Sequence, residues 1–268
     1  MKLNGVKNFP TIIVMIIIII SVVGLIQFRS MEKEEDMDKM NKNDIPEMDK
    51  NIPDNVQTAT FSLGCFWGPD AKFGVLYGVV RTRVGYAGDD KDNPTYHSLG
   101  KHTENIQIDY DPDRITYKDL LNIFWKNHEP TVRRSTQYMS RIFYHNDYQE
   151  RTAKESKDEL EKELGKEIKT VISKFEGFYP AEDYHQKYYL KHHQKFLEVY
   201  KSIYPDHEDF LNSTAVSRVN GYAVGEGYLE SPDDLKNMGL SEEGQEALFK
   251  DWKDAQNYYG ESCSTPYI

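Results

Sequence analysis

The residue best placed to do chemistry is Cys65, which lies in the run Gly-Cys-Phe-Trp-Gly over residues 64–68. A β-prone run over residues 58–63 precedes it and a helical spacing of apolar residues follows it, which predicts a strand-to-helix turn. Unpaired N–H groups and the helix dipole stabilise a thiolate at such a turn. Phe66 and Trp67 would form an apolar wall for a methyl or thioether group. The pattern therefore suggests a nucleophilic cysteine, with a buried structural cysteine as an equal alternative.

The second cysteine, Cys263, lies near the C-terminus in the polar run YGESCS over residues 259–264. Two cysteines so far apart exclude a disulfide-rich scaffold, a zinc ribbon and an iron–sulfur site. A polar, glycine-containing terminal segment is expected to be mobile enough to reach an active site. The alternative for Cys263 is a free thiol on the surface.

Composition and charge narrow the class of protein. The 268 residues are 38% hydrophobic and 29% charged, which excludes wholesale disorder and a polytopic membrane protein. With 44 Asp and Glu against 33 Lys and Arg, the net charge is −11, which argues against nucleic acid as a partner. His185 and His192 match no known zinc spacing, so no metal site is expected.

The chain divides into four parts. Residues 1–30 contain an uncharged apolar run over residues 11–28, which predicts a membrane anchor, with a cleaved secretory signal as the alternative. We therefore expect the protein at a membrane or in the secretory pathway, with the side of the membrane open. Residues 31–55 are predicted to be a charged flexible tether. Residues 56–204 are predicted to form the catalytic domain, and residues 205–268 a helical extension that carries Cys263.

Strands and helices alternate in the predicted structure of residues 56–204. Helical patterns begin at Thr116 and extend over residues 148–164, between β-prone runs that end at turn residues. The β-prone runs lie at residues 58–63, 79–84, 105–110, 141–145 and 168–175. This order predicts helices packed on a sheet, in the α+β or α/β class.

Five motifs lie in order along residues 58–193. They are GCFWG at 64–68, VGYAG and NPTY within 84–96, HTENIQIDYDP at 102–112, TQY at 136–138 and AEDYHQ at 181–186. Together they resemble the peptide methionine sulfoxide reductases of the A class, which reduce the S epimer of methionine sulfoxide. A five-motif match is highly specific. The resemblance implies an α+β fold, a two-layer helix-on-sheet sandwich of the ferredoxin-like type.

The resemblance also implies the roles of individual residues. Cys65 would attack the sulfoxide sulfur, and Glu104 would protonate the sulfoxide oxygen. Tyr96 and Tyr138 would donate hydrogen bonds to that oxygen, while Phe66 and Trp67 would enclose the methyl group. A carboxyl group with a raised pKa suits this proton transfer. By residue type alone, Glu104 would instead be a solvated surface carboxylate and each tyrosine a packing residue.

The product of such a reaction is methionine and a cysteine sulfenic acid, which needs a second thiol to restore the enzyme. Relatives often use a cysteine in a C-terminal extension, which makes Cys263 the candidate resolving residue. Thioredoxin or another dithiol would then supply the electrons, and no bound cofactor is implied. The substrate would be methionine sulfoxide in proteins or free, and the activity would repair oxidised methionine.

Two further features accompany the resemblance. His185 and Asp183, together with Glu182, would form a hydrogen-bonded support near the active site. Arg133 stands where many relatives have an aspartate associated with substrate binding, so that contact is expected to be missing or rebuilt.

Two other classes of function stay open at this point. A Cys-His hydrolase would use Cys65 as the acyl acceptor and would need a histidine hydrogen-bonded to it. A non-enzymatic secreted interaction domain would instead use a permanent disulfide between Cys65 and Cys263.

Overall fold

The computed structural model describes residues 45–88 and 93–262. The predicted anchor over residues 11–28, most of the predicted tether and Cys263 lie outside the described residues. Among the helices of the described residues, none is long and apolar enough to cross a membrane.

A six-stranded mixed sheet forms one layer of the structure, with the strand order β5-β4-β1-β3-β2-β6. Neighbouring strands run antiparallel, except that β4 and β5 run parallel. The strands are β1 (Gln57–Ser62), β2 (Val79–Ala87), β3 (Thr103–Tyr110), β4 (Arg141–Tyr144), β5 (Val171–Lys174) and β6 (Tyr179–Pro180).

Helices alternate with these strands and continue beyond the last of them. They are α1 (Glu47–Lys50), α2 (Trp67–Gly74), α3 (Tyr117–Lys126), α4 (Asp147–Leu164), α5 (Tyr188–Lys191), α6 (Gln194–Ile203), α7 (His207–Asn212), α8 (Thr214–Tyr222) and α9 (Glu242–Ser262). The run β1-α2-β2-β3-α3-β4, with β1 between β4 and β3, is the split β-α-β-β-α-β arrangement. The predicted helix-on-sheet architecture is therefore confirmed.

The core lies between the helices and one face of the sheet. Phe61 in β1 packs its ring 5.9 Å from Phe73 in α2 and 5.1 Å from Phe124 in α3. Ile106 in β3 pairs with Phe61, and alternate residues of a strand share a face. Glu104, two residues before Ile106, consequently lies on the helix-covered face of the sheet.

The C-terminal extension packs directly against helix α2. A Cβ atom on Gly74 would lie 2.5 Å from the backbone oxygen of Ser217 in α8, so the two helix backbones approach too closely for any larger residue. Arg218 in α8 donates to the backbone oxygens of Gly74 and Val79. The extension therefore shares an interface with the helix that follows Cys65, whereas the sequence predicts an appendage.

The end of the predicted tether is also packed. Asp49 in α1 accepts hydrogen bonds from the Thr214 N–H at 2.6 Å and from the Ser213 hydroxyl at 2.6 Å. Tyr204 donates to the same carboxylate at 2.7 Å. Because these bonds satisfy the free N–H groups at the start of α8, residues 45–55 are held in place and differ from the tether predicted there.

A buried ion pair connects α2 to the segments around it. The Lys187 Nζ lies 2.8 Å from Asp70 Oδ1, with side-chain exposures of 0% and 1%. Thr82 in β2 donates to Asp70 at 2.6 Å, and Asn220 in α8 donates to it at 3.3 Å. Since buried charges are stable only when paired and hydrogen-bonded, this network holds α2, β2, α8 and the residues before α5 together.

We expect Lys187→Met to lower the free energy of unfolding by about 3–5 kcal/mol, because it leaves the Asp70 carboxylate buried without its cation. Urea denaturation followed by circular dichroism measures this change. Lys154→Met is the matched control, since Lys154 pairs with Glu150 on the surface and exposed pairs contribute little. Equal stability of the two variants would show that the buried pair does not hold these elements together.

Candidate active site

Cys65 lies in the turn between β1 and α2, as predicted. Gly64 before it has a φ of +106°, a conformation that favours glycine, and Cys65 itself is a free, exposed thiol. The first N–H groups of the helix turn toward the site. The Phe66 N–H donates to Glu104 at 3.1 Å, and the Trp67 N–H hydrogen-bonds to the Cys65 thiol.

The pKa of the Cys65 thiol is raised above its ordinary value. Partial burial is the main cause, and the neighbouring Glu104 carboxylate adds to it, while the Trp67 N–H acts in the opposite direction. The predicted thiolate stabilisation by the helix start is therefore present but is outweighed. Burial and a neighbouring negative charge both disfavour the charged form of a thiol.

Glu104 is buried, with an exposed fraction of 1%. Its carboxyl group accepts the Phe66 N–H at 3.1 Å and the side-chain amide of Gln137 at 2.7 Å. Burial raises the pKa of Glu104 despite these two hydrogen bonds, which lower it. The surface position expected from residue type is therefore wrong, because β3 presents Glu104 to the helices. The carboxyl group holds its proton to a higher pH than an ordinary glutamate.

Two tyrosine hydroxyls belong to the same site. The Gln137 amide donates to the Tyr138 hydroxyl at 3.2 Å. A hydrogen bond with Tyr96, partial burial and the negative charge of Glu104 raise the pKa of Tyr138. The Tyr138 hydroxyl is therefore neutral across the physiological range and can donate a hydrogen bond.

Aromatic rings form the wall of the site beside Cys65. Trp67 stacks on Tyr188, with ring centroids 3.7 Å apart and an interplanar angle of 10°. His185 is 2% exposed, and its ring lies 5.1 Å from Phe66 and 4.7 Å from Tyr96. The predicted apolar wall is thus built from two segments that lie more than a hundred residues apart in the sequence.

His185 occupies the centre of this wall as a neutral ring. The Trp67 indole N–H lies 3.2 Å from His185 Nδ1, which must accept this hydrogen bond because the indole can only donate. Burial lowers the pKa of His185. Its contacts are therefore those of a residue that orients Trp67, and they agree with the predicted supporting position.

The acidic residues before His185 point in different directions. Glu182 accepts the Tyr86 hydroxyl at 2.7 Å and the Tyr96 N–H at 3.1 Å, so it holds the backbone of Tyr96. Asp183 is exposed and pairs with Lys191 at 2.7 Å and His207 at 3.1 Å. The predicted support at the site is therefore wrong for Asp183, whose side chain follows the outer side of the turn.

Three residues of the site have no individual role in the sequence analysis. Gln137 lies within the motif TQY, Tyr86 lies within VGYAG, and Tyr188 follows AEDYHQ by two residues. For Gln137 and Tyr86 membership of a motif is the only signal in the sequence, and Tyr188 lies outside the motifs. Each of the three acts through a partner from a distant segment.

The contacts of Cys65 do not match a Cys-His hydrolase. Its thiol contacts the Trp67 N–H and lies in the field of the Glu104 carboxylate, whereas a hydrolase needs a histidine as the base. Within residues 45–88 and 93–262, no group of three or more His, Cys, Asp or Glu side chains is arranged to hold a metal ion.

Comparisons with known proteins agree on one family. The family profile described as peptide methionine sulfoxide reductase matches residues 57–217. The peptide methionine sulfoxide reductase of Drosophila melanogaster is 43% identical over 188 residues, covering 69% of this chain and 75% of that protein. The peptide methionine sulfoxide reductase MsrA of Methanococcus maripaludis is 43% identical over 147 residues, covering 51% of this chain and 94% of that protein.

Methionine sulfoxide reductase A of Corynebacterium diphtheriae is a similar protein of solved structure. It is 30% identical and superposes with a TM-score of 0.47, covering 52% of this chain and 76% of that chain.

We expect Glu104→Gln to lower the pKa of the Cys65 thiol, because it removes a negative charge beside the sulfur. The pH dependence of alkylation by iodoacetamide, in a Cys263→Ser background, measures that pKa. Asp183→Asn removes the same charge from an exposed position and should leave the alkylation profile unchanged. An unchanged or upward-shifted profile in Glu104→Gln would contradict the electrostatic coupling.

Proposed function

Because the chain belongs to the peptide methionine sulfoxide reductase family and is an oxidoreductase that reduces methionine sulfoxide, we propose how its residues carry out the reaction. The Cys65 thiolate attacks the sulfoxide sulfur while the Glu104 carboxylic acid delivers a proton to the sulfoxide oxygen. The observation that carries this proposal is the burial of Glu104 beside Cys65, which raises the pKa of the carboxyl group and so favours the protonated form that a general acid needs.

The first half of the reaction transfers the sulfoxide oxygen to the enzyme. Attack joins the Cys65 sulfur to the substrate sulfur, and the protonated oxygen then passes to the Cys65 sulfur as the substrate's sulfur–oxygen bond and the transient sulfur–sulfur bond break. Cys65 becomes a sulfenic acid, and methionine leaves with its sulfur reduced by two electrons. The proton given up by Glu104 is replaced from solvent. The hydroxyls of Tyr96 and Tyr138 donate hydrogen bonds to the oxygen as negative charge develops on it.

The proposed substrate orientation follows from the asymmetry of the site. Hydroxyl and carboxyl groups lie on the side of Glu104, whereas the rings of Phe66 and Trp67 offer an apolar surface to the methyl group. Because the sulfur is chiral, only one epimer can place its oxygen against the polar groups, its methyl group against the rings and its side chain correctly at the same time. We propose the S epimer as that substrate, in proteins or free, on the family resemblance.

The second half of the reaction restores the thiol. The Cys263 thiol condenses with the Cys65 sulfenic acid, which forms a disulfide and releases water. A dithiol such as thioredoxin then reduces the disulfide to two thiols and is itself oxidised. No bound cofactor takes part in this proposal, since the two cysteines and the external dithiol carry all the electrons.

The location of the protein is part of the same proposal. The apolar run over residues 11–28 would hold the enzyme at a membrane or direct it into the secretory pathway. Alkaline carbonate extraction of membranes from cells that express the full chain tests this location, and release of the intact chain into the supernatant would contradict an anchor.

Glu104→Gln should lower kcat/KM for S methionine sulfoxide by at least about a hundredfold, since a general acid typically contributes about a hundredfold to ten-thousandfold. The active form combines a protonated Glu104 with a Cys65 thiolate, so wild-type activity should rise with pH up to the pKa of Glu104 and then level off, because the loss of the acid is matched by the gain of thiolate. Because burial raises the pKa of Glu104, the rise should continue above the range of an ordinary glutamate. Steady-state rates on each separated epimer, across pH, measure both effects.

Asp183→Asn is the matched control for this experiment and should keep the wild-type rate and pH profile. If Glu104→Gln also kept them, another group would deliver the proton. If the wild-type chain reduced neither epimer, the proposed reaction itself would be wrong.

Cys263→Ser should separate the two halves of the reaction. With dithiothreitol, which reduces Cys65 directly, we expect a rate close to wild type. With thioredoxin and its reductase, we expect a drop of at least about tenfold, because no disulfide forms for thioredoxin to attack. Dimedone labelling of Cys65 should then detect the trapped sulfenic acid, and full thioredoxin-dependent activity would rule out the resolving role.

A further inference from the structure

A cavity of about 270 Å³ adjoins the segment that carries Tyr138. Thr136 and Met139, which line the cavity, flank the site residues Gln137 and Tyr138 in the sequence. The Met139 backbone oxygen accepts the Ser62 hydroxyl at 2.7 Å, at the end of the strand that leads to Cys65. The cavity therefore borders the segment that connects Tyr138 to the end of β1.

The side chains that line the cavity carry positive charge. Arg133, Arg134 and Lys169 line it, together with Val132, Ser140 and Val171, and no carboxylate does. This concentration of cations is unusual in a chain with a net charge of −11. The neighbouring cavity shares Arg133 and Lys169 and adds Lys154 and Lys157, but three acidic residues also line it: Asp158, Glu161 and Glu167. The excess of positive charge is therefore larger on the side nearer Tyr138.

The two arginines differ from several nearby and buried cations in their contacts. Arg81 and Arg83 both pair with Asp109, and Lys169 pairs with Glu167. In the described part of the chain, neither Arg133 nor Arg134 forms an ion pair or a hydrogen bond, and both are exposed. Their guanidinium groups are thus available to an anion from outside the chain.

We propose that this cationic cavity binds the carboxylate of an aspartate or glutamate close to the oxidised methionine in a peptide substrate. A guanidinium group presents paired N–H donors that match the two oxygens of a carboxylate. The charge also attracts acidic segments at long range and raises the rate of encounter. The inference rests on the proposed function and adds a preference for acidic surroundings of the target methionine.

The test compares peptides that differ only in the residues beside methionine sulfoxide, which are Glu, Ala or Lys. The full-length chain in mild detergent is assayed with dithiothreitol, so that Cys263 and thioredoxin do not limit the rate. At low ionic strength we expect kcat/KM to be about three- to tenfold higher for the Glu peptide than for the Lys peptide. High salt should remove most of the difference.

Charge reversal at the cavity identifies the residues responsible. The double variant Arg133→Glu, Arg134→Glu should reverse the preference, while the rate on neutral N-acetylmethionine sulfoxide amide stays at the wild-type level. Arg151→Glu is the matched control, because Arg151 is an exposed arginine of α4 that does not line the cavity. This control should keep the preference for the Glu peptide.

Equal kcat/KM on the Glu and Lys peptides at low salt would overturn the inference without any variant. A preference that survives in the double variant, or disappears equally in Arg151→Glu, would also overturn it. Each of these three results leaves reduction of the neutral substrate intact. Loss of that activity in the wild type would instead contradict the proposed function.

Discussion

The buried pair of Asp70 and Lys187 is the interaction on which the arrangement of the site depends. Asp70 belongs to the helix that starts beside Cys65, and Lys187 follows His185 by two residues. Because both charges are excluded from water, each must keep its partner. The pair therefore holds the nucleophile and the aromatic wall in one relative position. Asn220 extends this restraint to the C-terminal extension.

Burial also determines the proton chemistry of the site. The same low-dielectric surroundings raise the pKa of both Cys65 and Glu104, and each negative charge disfavours the other. In the proposed reaction this shift is useful for Glu104, since a protonated carboxyl group is what the sulfoxide oxygen needs. For Cys65 it is a cost, which the Trp67 N–H offsets only in part. Such a site disfavours a Glu104 carboxylate beside a Cys65 thiolate and favours a protonated Glu104 beside Cys65.

Local patterns in the sequence predicted most elements of the central domain. The predicted start at Thr116 agrees with a capping box in which Thr116 and Asp119 hydrogen-bond reciprocally. The strand predicted at 168–175 is shorter, Val171–Lys174, and residues 45–55 are packed where a tether was predicted. Composition cannot detect such packing, because Asp49 is held by a partner more than 160 residues away.

The sequence alone predicted Cys65 as the nucleophile, Glu104 as the acid, and Phe66 and Trp67 as the apolar wall, because these residues stand in motifs that resemble those of the family. It also indicated the strand-to-helix turn, which depends only on neighbouring residues. Tertiary structure alone decided that Glu104 is buried, that Glu182 faces the site while Asp183 faces outward, and that unpaired arginines adjoin Tyr138. These outcomes depend on strand register and on contacts between distant segments, and such contacts leave no periodic signal along the chain.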